Sequence, residues 1–355
     1  MSAKERTPPE RLSDARAEEI LKKVIVNYIL TGEPVGSRTI SKMSREGLSP
    51  ASVRNVMSDL EEMGFLAQPH TSAGRIPTDQ GYRYYVDTLL QPARLGPRDK
   101  VLIDESLTRI GGEFSEALEI IPRLLSRLSS QVGYVIAPPI KDAVLKHIEF
   151  VRLHDRKVLC VFVDRSGVVS HRIIEVAEDY EPGDLERAGH YLVEEFGGLS
   201  LGEIRARLVA LMAQEKAAFD QLLKNAVNLG TRYLDAEQHE RRLVLEGTTN
   251  IMKHPEFSDV ETMRRLFVTF EQKHRIVNLL DRCIDQPGVR VVIGSETSDP
   301  ALGNLALVTS PYQVDERSTG LLGILGPTRM EYERAVTLVD YISRLLSSLL
   351  TSHLH

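Results

Sequence analysis

Residues 49–85 read SPASVRNVMSDLEEMGFLAQPHTSAGRIPTDQGYRYY, and no other stretch limits the fold so tightly. Ser49 is a good helix N-cap. Pro50 suits the first helical position, where its missing N–H costs nothing, and Gly64 is a C-terminal stop. At about 100° per residue, Val53, Val56, Met57, Leu60 and Met63 share one face of the intervening helix. Ala51, Arg54, Asn55 and Ser58 share the other, and Asp59, Glu61 and Glu62 gather at its C-terminal end. Beyond Gly64 the chain is rich in turn formers: FLAQP and RIPT suit short strands around an HTSAG turn. TDQGYRYYVDTLL then returns to helix with Thr78 as cap. The spacing of Tyr82, Tyr85, Val86 and Leu89 points them at a core and not at a stack of bases.

Two helices precede this stretch. Residues 14–31 carry Ile20, Leu21, Val24, Ile25, Tyr28 and Ile29 at helical spacing and close on Gly32. After the turn GEPVGS a short helix starts near Ser37, with Ile40 and Met43 facing inward. Three helices, a tight turn before the third and a following hairpin define a winged helix-turn-helix, whose third helix enters the major groove. The candidate DNA contacts are Ser37, Arg38, Ser49, Ala51, Ser52, Arg54, Asn55 and Ser58 on the helices, and His70, Thr71, Ser72 and Arg75 on the wing. An arginine can grip guanine with two hydrogen bonds and an asparagine can grip adenine, while hydroxyls and further cations hold phosphates. Arg75 is placed to reach the sugar-phosphate backbone or the minor groove. A solvated polar face, which most amphipathic helices have, is the competing reading of α-helical residues 51–58.

Charge permits a polyanionic partner without requiring one. The chain has a net charge of −6, but the first 100 residues hold 15 Lys and Arg against 13 Asp and Glu, and the other 255 hold 29 against 37. Within residues 37–57, Arg38, Lys42, Arg45 and Arg54 face only Glu46.

EPVGSRTISK, LSPASVRNVMSDLEEMGFLAQPHTSAGRIPTDQGYRYYVD and the distant LLGILGPTRMEYERAV together resemble the heat-inducible transcription repressors of the HrcA family. The likeness runs through essentially the whole chain, apart from an extended, proline-containing leader before Leu12. It implies a homodimeric repressor of chaperone operons that binds an inverted-repeat operator in double-stranded DNA and is kept active by the chaperonin.

Downstream, two prolines in VDTLLQPARLGPRDK mark a hinge. A helical region over residues 98–131, interrupted near GGEF and Pro122, leads to the strand VGYVIAPP. LKHIEFVRLH, KVLCVFVD and VVSHRIIEVA read as a three-stranded meander, followed by helices to residue 240. One helix over ETMRRLFVTFEQKHRIVNLLDRC, three more strands and a closing helix finish the chain. This order suits one α/β domain split by an insertion, and the HrcA family has such an arrangement: a GAF-like domain interrupted by an inserted dimerising domain. The expected fold is therefore a multidomain α+β chain. A winged helix-turn-helix occupies residues 1–90, the GAF-like α/β domain 91–141 and 241–355, and the inserted α+β dimerisation domain 142–240.

No Gly-x-x-x-x-Gly-Lys-Ser/Thr, His-Glu-x-x-His or Gly-x-Ser-x-Gly pattern is present, so no enzyme is expected, and no cofactor or metal is assigned. The glycines of GLLGILGPT fit a strand-to-helix junction better than a phosphate cradle. His147 and His171 alternate with apolar strand residues, and a metal held across paired strands is the outlying reading. Cys160 and Cys283 lie far apart in apolar company, as buried thiols in a reducing compartment would. With no apolar leader and no run of about 18 apolar residues, the chain is expected in the cytoplasm, away from membranes. The alternative function is a winged-helix regulator gated by a small molecule in the GAF-like domain.

Overall fold

Asp14 starts helix α1 (Ala15–Thr31) by accepting the Arg16 N–H, and Gly32 ends it in the left-handed region at φ 72°, returning its N–H to Tyr28 O. The computed structural model describes residues 12, 14–44, 47–70, 73–91, 93–108, 110, 114–165, 167–177, 179–213, 221–236, 241–284, 286–297, 299–314 and 318–352. Helix α2 (Ser37–Met43) and helix α3 (Pro50–Glu62) follow, and Ser49 Oγ caps α3 by accepting the Ser52 N–H at 3.1 Å. Ile20, Leu21, Val24 and Ile25 pack with Ile40, Val53, Met57 and Leu60 in one buried cluster. Two expected core residues lie outside it: Met43 and Met63 are exposed. Each stands at a helix terminus, Met43 as the last residue of α2 and Met63 as the C-cap of α3, where the periodicity that assigned them inward has already run out.

Strands β1 (Leu66–Ala67) and β2 (Ile76–Pro77) form an antiparallel hairpin, pairing Leu66 with Pro77 and Ala67 with Ile76. Arg75 extends it by a bridge to Val35, with both backbone bonds at 2.9 Å. Gly74 permits that approach, since a Cβ there would lie 2.5 Å from the Val35 carbonyl. Helix α4 (Asp79–Tyr84), capped by Thr78, runs into a π turn over Tyr85–Leu89. Tyr82, Tyr84 and Tyr85 are all buried.

The body follows helices α5 (Pro97–Thr108) and α6 (Phe114–Ser129) with strand β3 (Val132–Ile136). Pro122 lies inside α6 without ending it. Next comes a separate unit: strands β4 (Leu145–Arg152), β5 (Lys157–Asp164) and β6 (Val169–Glu175) form an antiparallel meander. Helices α7 (Pro182–Phe196), α8 (Leu201–Ala213) and α9 (Gln221–Ala236) complete it. This unit has its own core, in which Ile148, Phe150, Cys160 and Phe162 meet Leu185, Leu192, Leu208 and Tyr233.

The chain returns as strand β7 (Leu243–Glu246), adjacent to β3, and Ala137 N–H bonds Arg242 O where the excursion leaves and rejoins. Helices α10 (Val260–Glu271) and α11 (Lys273–Ile284), strands β8 (Arg290–Ile293), β9 (Leu305–Gln313) and β10 (Thr319–Pro327), and helix α12 (Tyr332–Ser352) follow. The five strands are ordered β7-β3-β10-β9-β8, all pairs antiparallel. One sheet face carries Val135, Val308, Leu322 and Ile324 against α6 and α12, in the same cluster as the N-terminal helices. The other carries Tyr134, Leu307, Leu321 and Leu325 against Leu266, Phe270, Ile276 and Leu280 of α10 and α11.

Two element assignments change. β7 was not expected, and the single helix over residues 261–283 is two helices, broken where Gln272 takes φ −81°, ψ 62°. The chain is a mixed α/β protein with a helical N-terminal module, a five-stranded layered body and a second cored unit inserted between β3 and β7.

Candidate nucleic-acid interface

With Val53, Met57 and Leu60 inside, α3 turns Ala51, Ser52, Arg54 and Asn55 to solvent, with Ser58 half-buried beside them. Arg38 is exposed on α2, and Ser37, the first residue of that helix, is half-buried. Ser49 is exposed, but its hydroxyl is committed to the cap and lies 3.0 Å from Ser52 Oγ. Among the described residues, Arg38, Lys42 and Arg54 form no ion pair, so this face presents uncompensated positive charge. His70 is exposed at the hairpin tip. Thr71 and Ser72 lie outside the described residues, as do Arg45 and Glu46.

Arg75 stands apart from the other candidates. Its guanidinium meets Glu61 of α3 at 2.8 Å, only 20% of its side chain is exposed, and its Nε is buried without a partner. The arginine expected to reach for a backbone phosphate therefore staples the hairpin to the acidic end of α3. In the sequence Glu61 is one of three acids at the C-terminal end of the helix; the contact joins elements that only the folded hairpin brings together.

A second set of residues, not anticipated from sequence, fixes this module on the body. Arg83 of α4 donates to both oxygens of Glu296, at 2.8 and 2.6 Å, and to Val291 O at 2.6 Å. Asp79 accepts the Ser295 N–H at 2.8 Å, Tyr85 bonds Glu333 at 3.0 Å, and Tyr82 packs on Tyr332 with ring centroids 5.8 Å apart. Arg329 pairs with Glu256 and donates to Ile29 O at the end of α1. One available signal was a lone arginine inside the buried tyrosine run of GYRYY, where a charge needs a partner. Burial pushes the Tyr82 and Tyr332 hydroxyls far above their ordinary range, so both stay neutral.

The remaining chemistry is sparse. His147 and His171 sit on β4 and β6, which flank β5 and do not pair with each other. They are not cross-strand neighbours, His147 lying opposite Val163 and His171 opposite Val161. Among the described residues no group of three or more His, Cys, Asp or Glu could hold a metal. Cys160 and Cys283 are free and buried, and burial pushes the Cys160 thiol up to about 12. No helix among the described residues is long and apolar enough to cross a membrane.

The same fold is present in a solved structure of a hypothetical protein, with a TM-score of 0.59 and 22% identity over 96% of this chain and 99% of that one. The family model for the HrcA protein C-terminal domain matches residues 115–336. The heat-inducible transcription repressor HrcA of Geobacter sulfurreducens is 42% identical over 335 residues, 94% of this chain and 97% of that one. The repressor of the same name from Syntrophobacter fumaroxidans is 40% identical over 336 residues, again 94% and 97%. The chain belongs to the HrcA family of heat-inducible transcription repressors.

Proposed function

We propose that the protein represses chaperone operons by binding an inverted-repeat operator as a cytoplasmic homodimer, under the control of the chaperonin. The N-terminal module, residues 1–90, acts as a winged helix-turn-helix with α3 in the major groove. The observation that carries this reading is the N-terminal half of α3, where Arg54 and Asn55 stand side by side in solvent and Arg54 forms no ion pair among the described residues. Ala51 keeps the approach open, Arg38 and Ser37 meet the flanking backbone, and Ser49, Ser52, Ser58, His70, Thr71 and Ser72 supply polar contacts around them. Arg75 serves by holding the wing in place.

Residues 91–141 and 241–355 form a GAF-like body, and residues 142–240 the dimerising insertion. Its helices cover one face of the meander and leave the other open. The strand registers align His147, Val163 and Val169 in one row, Glu149, Val161 and His171 in the next, and Val151, Leu159 and Ile173 in the third. Val151, Val169 and Ile173 are 40, 60 and 57% exposed. A β-branched surface of this kind is suited to a second copy of itself. Two modules then double the phosphate contacts that one weakly basic module can make.

Footprinting on the promoter of the source organism's chaperonin operon tests the reading. Protection of an inverted repeat by the wild type, lost in Arg54→Ala and Asn55→Ala while both remain dimers in sedimentation, is expected; equal affinity in both variants would refute the assignment of α3.

A further inference from the structure

A cleft of about 330 Å³ lies between the C-terminal half of α6 and the loop that follows β7. Arg123 and Arg127 project from α6 one helical turn apart, and Lys253 comes from the short helical turn Thr248–Lys253. Among the described residues the only carboxylate on the lining is Glu246, 3.8 Å from Arg123, at the outer limit of an ion pair. Arg127 pairs with none of the described residues. Three cations thus face one acid across a small space.

Lone surface cations are usually just solvated, and what distinguishes this group is its floor. Asn250 is held three ways: its amide donates to Ser126 Oγ at 3.0 Å and to Gln131 O at 3.1 Å, and its oxygen accepts from Lys253 at 2.9 Å. Gly247 takes φ 74° and presses the loop onto α6, where a Cβ would lie 1.9 Å from Ser126 Oγ. Ser126 is 7% exposed. Its oxygen accepts from Asn250, and its own proton has no acceptor among the described residues. Because Ser126 lines the cleft, that proton is available to a molecule bound there. The carbonyls at the end of α6, which would repel an anion, are partly neutralised, since Arg334 donates twice to Leu128 O at 3.2 and 3.1 Å.

We propose that this cleft binds a phosphorylated small molecule. Arg123, Arg127 and Lys253 neutralise its phosphoryl oxygens, and Ser126 donates to one of them from below. A monovalent carboxylate would leave positive charge uncompensated, whereas a phosphate ester or diphosphate carries enough charge and oxygens to engage all three cations. The site lies far along the chain from the residues proposed to read DNA, and its occupancy is a question separate from operator binding.

Inorganic pyrophosphate is the probe. Calorimetric titration of the full-length protein at about 0.15 M salt, where loose surface attraction is screened, is expected to show one saturable site per chain. Arg127→Gln and Lys253→Gln should each weaken it about tenfold or more, as loss of a charge-assisted bond does. The double variant should abolish it with an unchanged melting temperature, and Arg152→Gln, on β4, should leave it intact. Should the double variant melt early, Arg123→Gln replaces it. Absence of saturable binding, or undiminished binding in the double variant, overturns the proposal. So does a double variant that instead loses operator affinity with a reduced salt slope, because the cleft would then hold nucleic-acid backbone.

Discussion

Arg83 and Glu296, 213 residues apart in sequence, face each other with two parallel hydrogen bonds, Nε to one carboxylate oxygen at 2.8 Å and Nη2 to the other at 2.6 Å. Both side chains are about four-fifths buried, at 18 and 20% exposure. The pair joins the N-terminal module to the edge of the body sheet, and Arg83 also holds the Val291 carbonyl of β8. Removing one partner leaves the other, largely buried, to its remaining contacts: the Ile293 N–H for Glu296, and Asp87 and Val291 O for Arg83. Arg83→Met is expected to destabilise the protein by roughly 3 kcal/mol, read as a lower denaturant midpoint, and to make residues near 90–96 more sensitive to protease. If Arg83→Met and Glu296→Gln prove additive in a double-mutant cycle, the pair is not a coupled clamp.

Arg75 leads to an opposite pair of expectations. Because Glu61 already neutralises it, Arg75→Ala should lower operator affinity by loosening the wing, with no change in the dependence on salt. Glu61→Gln should release the guanidinium and steepen that dependence by about one phosphate contact. Electrophoretic mobility or anisotropy titrations across salt concentrations measure both slopes. A shallower slope in Arg75→Ala would place the arginine directly on the DNA.

Charging the open meander face should separate the copies. Ile173→Glu places a carboxylate in the most apolar row, between Leu159 and solvent, on a surface proposed to be dry in the dimer. Sedimentation is expected to show monomers with an unchanged circular dichroism spectrum, and operator affinity should fall by well over tenfold. Dimers that persist would move the interface to another surface.

Acidity should weaken the junction through His254. Burial, then the nearby Arg329 and Lys253, hold this imidazole below its ordinary range, against the opposing pull of Glu256. The folded protein therefore binds this proton less readily than the unfolded chain. The stabilisation is present above the unfolded value of about 6.5 and is lost as the pH falls through it toward the lowered folded value. Thermal melts between about pH 7.5 and 5.5 should show the loss, reduced in His254→Gln. Identical pH slopes in the two proteins would assign the effect elsewhere.

Local signals were legible in the sequence wherever a single residue type answers a single backbone need. Ser49, Pro50 and Gly64 bracket α3, Thr78 caps α4, and Tyr82 and Tyr85 face the core at the expected spacing. Legibility failed where the decisive contact is distant. Nothing adjacent to Arg75 in the chain announces Glu61, and nothing near Arg83 announces Glu296. β7 escaped because a four-residue strand is too short to show a period, and its role as an edge depends on β3 lying beside it. The break at Gln272 escaped because VTFEQKHRIV keeps helical spacing on both sides of it. The exposure of Ala51, Arg54 and Asn55 on α3 was legible in the sequence, while the fastening of the whole module to the body was not.

The excursion between β3 and β7 leaves and re-enters the sheet at neighbouring strands, its two ends tied by the bond from Ala137 to Arg242. The insertion also leans on the body, with Val168 packed against its core cluster and Ser318 Oγ donating to Asp142 O, yet most of its core is its own. On the proposed reading, substitutions on the meander tune how strongly two copies hold together, and substitutions on α3 which sequence they hold. Under that proposal, a lineage could retune the concentration at which two copies pair without relearning the operator.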